Sequence, residues 1–146
     1  ARWPARIQHL TRGPLVEALP PGWELWLDGG HNADAGRMLA ATARALWADR
    51  PLHLAFGMLD TKTPLDFLSA FAGLAGTVRT VAIPGEAHSL SAAQSAAMAQ
   101  QAGLAAEPAG SVAEAVADIL RADDTPARIL ICGSLYLAGH VLAENG

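Results

Sequence analysis

The stretch LWLDGGHNADAGRMLAATARAL, Leu25 to Leu46, decides the fold. A short apolar run ends in Asp28, then Gly29, Gly30, His31 and Asn32 follow, and an alanine-rich periodic segment begins. With Glu24, the first part has the length and character of a strand. From 33 to 48, Ala35, Met38, Leu39, Thr42 and Leu46 share one side and Arg37 and Arg44 the other, which predicts a helix. The polar, glycine-containing junction between them is either a simple turn or a ligand site.

The alternation continues outward. LHLAFGM (52–58) and VRTVAIP (78–84) read as strands. A helix is expected from about Pro64 to Ala72, with Thr63 or a neighbour as N-cap and Pro64 at the first helical position. SAAQSAAMAQQAG (91–103) reads as a helix ended by Gly103, and SVAEAVADILRA (111–122) as one opened by a capping box of Ser111 and Glu114. The short LAAEP (104–108) lies between them. ARILICG (127–133) is the expected central strand, and SLYLAGHVLAEN the last helix. RIQHLTRGPLVEALPPGW, before Glu24, reads as a hairpin or arm that turns at PPG. Strands alternating with helices predict an α/β fold with a mostly parallel sheet flanked by helices on both faces. Ligands in such folds bind beyond the carboxyl ends of the strands. Asp28 to Asn32, Gly57 to Lys62 and Gly133 to Tyr136 all fall there.

The chain has 146 residues, 51% hydrophobic and 16% charged, which suits one domain with a real core and excludes disorder. No apolar run approaches the ~20 residues that cross a bilayer, and no signal-peptide pattern opens the chain. A soluble, cytoplasmic protein without membrane contact is expected, and a first residue other than Met points to an excerpt of a longer one. A net charge of -4 argues against nucleic acid as partner. The single cysteine, Cys132, reads as a buried strand thiol, and the five histidines lack paired ligand spacing, so no metal site is assigned.

Each chemically interesting residue has a plain reading and a functional one. Asp28 caps a turn, or accepts the hydroxyls of a ribose at a strand end. Gly29 and Gly30 permit close backbone approach. His31 is a hydrogen-bonded turn residue or a catalytic group, and with Asn32 it stands at a helix entrance, where free N–H groups favour an anion. Lys62, the only lysine among ten basic residues, is solvated surface or a place that needs a compact ammonium. Arg6, beside Trp3 and Pro4, is a planar clamp on a nucleotide or a packed stem. Neither G-x-x-x-x-G-K-[ST] nor G-x-G-x-x-G occurs, so the chain lacks its own means of holding a triphosphate.

Four segments together resemble one family. WPARIQ (3–8), LDGGHNADA (27–35), GMLDTK (57–62) and GSLYLAGHVL (133–142) are similar to the C-terminal domain of folylpolyglutamate synthase/dihydrofolate synthase, within the Mur ligase superfamily. The matches keep the family's order over nearly the whole chain. The resemblance implies a Rossmann-like domain of the Mur ligase C-terminal type over residues 1–146, with an N-terminal P-loop domain that this chain does not include. It implies an ATP-dependent carboxylate–amine ligase of folate biosynthesis and one-carbon metabolism. ATP, with Mg2+ held mainly by the N-terminal domain, activates dihydropteroate or tetrahydrofolate as an acyl phosphate, and L-glutamate attacks it. The present domain alone is then expected to be inactive. Carried over by position, Arg6, Asp28, His31 and Asn32 contact the nucleotide, and His31 lies beside the reacting centre. Lys62 approaches the carboxylate of the incoming amino acid, with Ser134 on the same side. Ala33 stands where the family usually has proline, and Thr63 where aspartate often follows the lysine. The alternatives are the C-terminal domain of a cell-wall Mur ligase and a non-catalytic, nucleotide-responsive binding module.

Overall fold

The structure is a computed structural model and describes residues 7–145. Arg6, with Trp3 and Pro4, lies outside them. Six strands, β1 (Gln8–Leu10), β2 (Glu24–Leu27), β3 (Leu52–Phe56), β4 (Ala75–Thr80), β5 (Ala106–Pro108) and β6 (Arg128–Cys132), form one sheet in the order β1-β2-β6-β3-β4-β5. β1 is antiparallel to β2, and every other neighbour is parallel. The helices are α1 (Pro14–Glu17), α2 (Ala33–Leu46), α3 (Pro64–Ser69), α4 (Ala92–Gln101), α5 (Val112–Ala122) and α6 (Leu135–Asn145). No helix among the described residues is long and apolar enough to cross a membrane.

Strand alternation divides the apolar side chains between two cores. Leu25, Leu27, Ile129 and Ile131 face α5 and α6, whereas Leu54, Phe56, Leu130 and Cys132 face α2, α3 and α4. Every residue of β6 is buried, as a strand covered on both faces requires. The expected central strand is therefore in place, and the α/β class holds.

Several details differ from the sequence expectation. The buried face of α2 is Gly36, Leu39, Ala40 and Ala43, while Met38 and Leu46 are 45% and 71% exposed. Close packing decides this: a Cβ at Gly36 would stand 2.6 Å from the carbonyl oxygen of Phe67, so the smallest residue faces α3. β4 begins and ends earlier than 78–84: Val81 N–H still donates to Phe56 O at 2.8 Å, and Val81 and Ile83 are buried outside the strand. The hairpin is β1 against β2, with α1 inserted and Trp23 N–H donating to Pro20 O across the turn at 3.3 Å. At α5, Ser111 Oγ accepts from Glu114 N–H, but the Glu114 carboxylate accepts from Gly110 N–H, one residue outside a true capping box.

The amino ends of the strands carry an ionic clamp. Arg128 Nε donates to Glu24 Oε1 at 2.7 Å and a terminal nitrogen to Asp49 Oδ1 at 2.7 Å, with the guanidinium over the Trp47 ring. Glu24 also accepts from Trp26 Nε1 and Arg50. Buried His53 accepts at Nδ1 from Thr77 N–H (3.0 Å), which leaves Nε2 to donate to Asp123 Oδ2 (2.9 Å). Burial pushes the Glu24 carboxyl up, but the bonds from Trp26 and Arg128 outweigh it and hold it below its ordinary 4.5. The Arg128 bond lowers Asp49, and Thr125 N–H and His53 lower Asp123.

Carboxyls with lowered folded values stabilise the native state fully above their unfolded values and lose that contribution as pH falls through the folded ones. Melting temperature should therefore hold from neutrality down to the ordinary carboxylate range and fall steeply below it. Glu24→Gln should be less stable at neutral pH, and its acid limb should be shallower. An acid limb of unchanged slope would show that Glu24 does not contribute to it.

Candidate functional site

β2, β6 and β3 are parallel neighbours, so their carboxyl ends lie side by side. The ladder runs one residue past them, with Asp28 N–H donating to Ile131 O at 2.9 Å and Gly57 N–H to Cys132 O at 3.2 Å. Beyond that point glycines let the three loops touch. Gly133 has φ +111°, and a Cβ there would lie 2.4 Å from Gly57 O. A Cβ at Gly29 would lie 2.9 Å from Leu135 Cδ1, and one at Gly57 2.9 Å from Val81 O. The three segments expected at this edge are thus brought together.

Asp28 is only 5% exposed. Its Oδ1 accepts from Ile7 N–H at 2.8 Å and its Oδ2 from Gly30 N–H at 2.7 Å, so it fixes both the glycine turn and the incoming N-terminal segment. Turn capping is therefore real, and each oxygen accepts one bond among the described residues, where a carboxylate oxygen can accept two. Ser134 is buried, and its Oγ accepts from Tyr136 N–H (3.0 Å) and Leu137 N–H (3.4 Å), which caps α6. Its hydroxyl proton is not donated within the described residues. Asn32 Oδ1 accepts from Ala35 N–H at 2.8 Å and caps α2. Half-buried His31 holds a buried Nδ1 that has no hydrogen-bond partner among the described residues. An unmet buried group costs about 1–3 kcal/mol; Ser95 Oγ, on α4, is in the same position. Lys62 is exposed, on a turn closed by its N–H to Leu59 O at 3.2 Å. Cys132 is a buried free thiol, and burial, reinforced by the Asp28 charge, pushes it well up.

The structure adds a fourth loop, one that strand and helix periodicity does not place here. Residues 81–91, after β4, return to the β3 loop through an antiparallel bridge of Leu59 with Ser89. The signal is present in PGEAHSLS, a polar turn directly after an apolar run, but that run reads equally well as the end of a strand. No group of three His, Cys, Asp or Glu among the described residues is placed to hold a metal ion.

A family profile described as Mur ligase, glutamate ligase domain, matches residues 12–135. The chain belongs to this family. The fold agrees with solved structures of folylpolyglutamate synthases. The Mycobacterium tuberculosis folylpolyglutamate synthase complexed with ADP superposes with a TM-score of 0.76 at 22% identity, covering 97% of this chain and 32% of that one. The Yersinia pestis bifunctional folylpolyglutamate synthase/dihydrofolate synthase complexed with AMPPNP and Mn ion gives 0.73 at 23%, covering 98% and 31%. E. coli FolC in complex with DHPP and ADP gives 0.72 at 24%, covering 97% and 31%. This Mur ligase domain thus spans about a third of the length of those proteins. No curated protein sequence matches it.

Gly133 offers a direct test of the loop packing. Gly133→Ala combines a positive φ with a clash against Gly57 O, whereas a methyl group at Gly103, where φ is +89°, would meet nothing within 4 Å. Backbone strain alone costs about 1 kcal/mol, as expected for Gly103→Ala, and Gly133→Ala should lose at least about 2 kcal/mol more in denaturant unfolding. Equal losses would refute the close approach of the two loops.

Proposed function

We propose that this domain forms one wall of an ATP-dependent carboxylate–amine ligase that joins L-glutamate to dihydropteroate or tetrahydrofolate. The observation that carries the reading is the meeting of LDGGHN, GMLDTK and GSLYL at one edge of the sheet, in a chain of the Mur ligase family. The nucleotide supplies a phosphoryl group that activates the folate carboxylate, and a covalently linked P-loop domain holds its phosphates and Mg2+. In such an enzyme the present residues bind and orient. Arg6, Asp28, His31 and Asn32 serve the nucleotide side, Asp28 through the acceptor capacity it retains toward ribose hydroxyls. His31 supports this reading through its buried Nδ1, which has no partner among the described residues and which domain closure would supply with one. Ser134 can donate its spare proton to a substrate oxygen, and Lys62 offers an ammonium to a carboxylate of glutamate.

Folate substrates are favoured over cell-wall precursors by the GSLYL and DGGHN segments and by the synthase structures that share the fold. ATP-dependent chemistry of this kind fits a cytoplasmic setting. Catalysis that depends on closure of two walls leaves this one inactive alone. The decisive assay measures ADP release by the full-length ligase with dihydropteroate and with tetrahydrofolate, each with and without glutamate. ADP release that ignores both glutamate and the folate acceptor would overturn the proposal.

Lys62→Met in that full-length enzyme should raise KM for glutamate by about tenfold or more, the loss of one charge-assisted bond, while leaving KM for ATP nearly unchanged. Lys62→Arg should restore only part, since a planar fork does not replace a compact ammonium. An effect confined to ATP would move Lys62 to the phosphate side.

A further inference from the structure

Residues 81–91 form a clasp rather than a loose loop. After β4 the chain turns at Pro84 and Gly85, the latter at φ +75°, and comes back along the lysine loop. Leu90 N–H donates to Met58 O at 3.0 Å and Asp60 N–H to His88 O at 2.8 Å, on either side of the Leu59 and Ser89 bridge. Ser89 secures the base: its Oγ accepts from Ile83 N–H at 2.8 Å and donates to Leu90 O at 2.7 Å. The result is a fixed backbone under an exposed side chain. His88, 79% exposed, stands with Nδ1 3.8 Å from Asp60 Oδ2.

An exposed pair at that separation contributes little to stability. The clasp therefore holds His88 beside Asp60 without the fold needing their attraction. Lys62, two positions on, is exposed on the same turn. One clasp thus presents a cation, a carboxylate and an imidazole, a set complementary to an amino acid with two carboxylates and one amino group. We infer that His88 is a specificity-determining residue that reads a second carboxylate of the incoming amino acid, with Lys62 on the first and Asp60 accepting from the amino group. This inference rests on the ligase reading.

The test uses the full-length ligase and compares His88→Ala, His88→Gln and Lys62→Met. His88→Ala should raise KM for glutamate about three- to tenfold, with kcat and KM for ATP within about twofold of the parent. His88→Gln, which keeps a donor, should recover part of the loss. Discrimination of glutamate over glutamine or over its α-amide should shrink by a similar factor in His88→Ala. Unchanged melting temperature will separate this from a folding defect. If Lys62→Met raises KM for glutamate and His88→Ala does not, the His88 role is overturned and the ligase reading stands. If the parent shows no glutamate-dependent turnover, the ligase reading falls and the His88 role with it.

Discussion

The last strand of the chain is the middle of its working half. β6, the last strand in chain order, lies between β2 and β3 and completes the ladders on both sides. All of its residues are buried, and its side chains divide between the two cores. Neither core is whole without it. The candidate site depends on the same insertion, because the loops after β2 and β3 are spaced by the loop that follows β6.

The two ends of these strands solve opposite problems. At the amino ends Arg128, Glu24, Asp49 and Arg50 neutralise one another beside Trp26 and Trp47, and His53 has both ring nitrogens engaged. Loss of Glu24 would take one partner from the Arg128 guanidinium, the buried member of the set, and that is costly. At the carboxyl ends the residues in contact are glycines, and the polar side chains keep something in reserve. Asp28 retains lone pairs, Ser134 a proton, and His31 a whole nitrogen. Charged groups are paired at one edge, and at the other polar groups keep unspent bonding capacity among the described residues.

Much of this is legible in the sequence, for identifiable reasons. Alternation of apolar runs with capped, periodic segments specifies the α/β order, and the rule that ligands gather beyond strand ends picks out Asp28, Gly57 and Gly133. Packing at closer range is not legible. The face of α2 cannot be read from hydrophobicity, because what the sheet and α3 demand there is small size, supplied by Gly36, Ala40 and Ala43, while Met38 and Leu46 look outward. The clasp is hidden because Val81 and Ile83 are as buried as strand residues without belonging to a strand. The tie between Asp28 and Ile7, separated by 21 positions, has no local pattern at all.

That tie also couples parts of the candidate site. Asp28 grips the segment that enters the domain, through Ile7 N–H, with the same carboxylate that holds the Gly30 turn. A reorientation of the N-terminal segment would be felt at the glycine turn, at His31 and at the entrance to α2, since one side chain links them. Ser134 fixes α6 and the β6 loop in the same manner. Each group that would meet a ligand has thus spent part of its hydrogen-bonding capacity on holding its own loop still, and only the remainder faces outward. Groups already held in this way have less to lose in ordering when a ligand arrives, which is one part of the cost of any binding event.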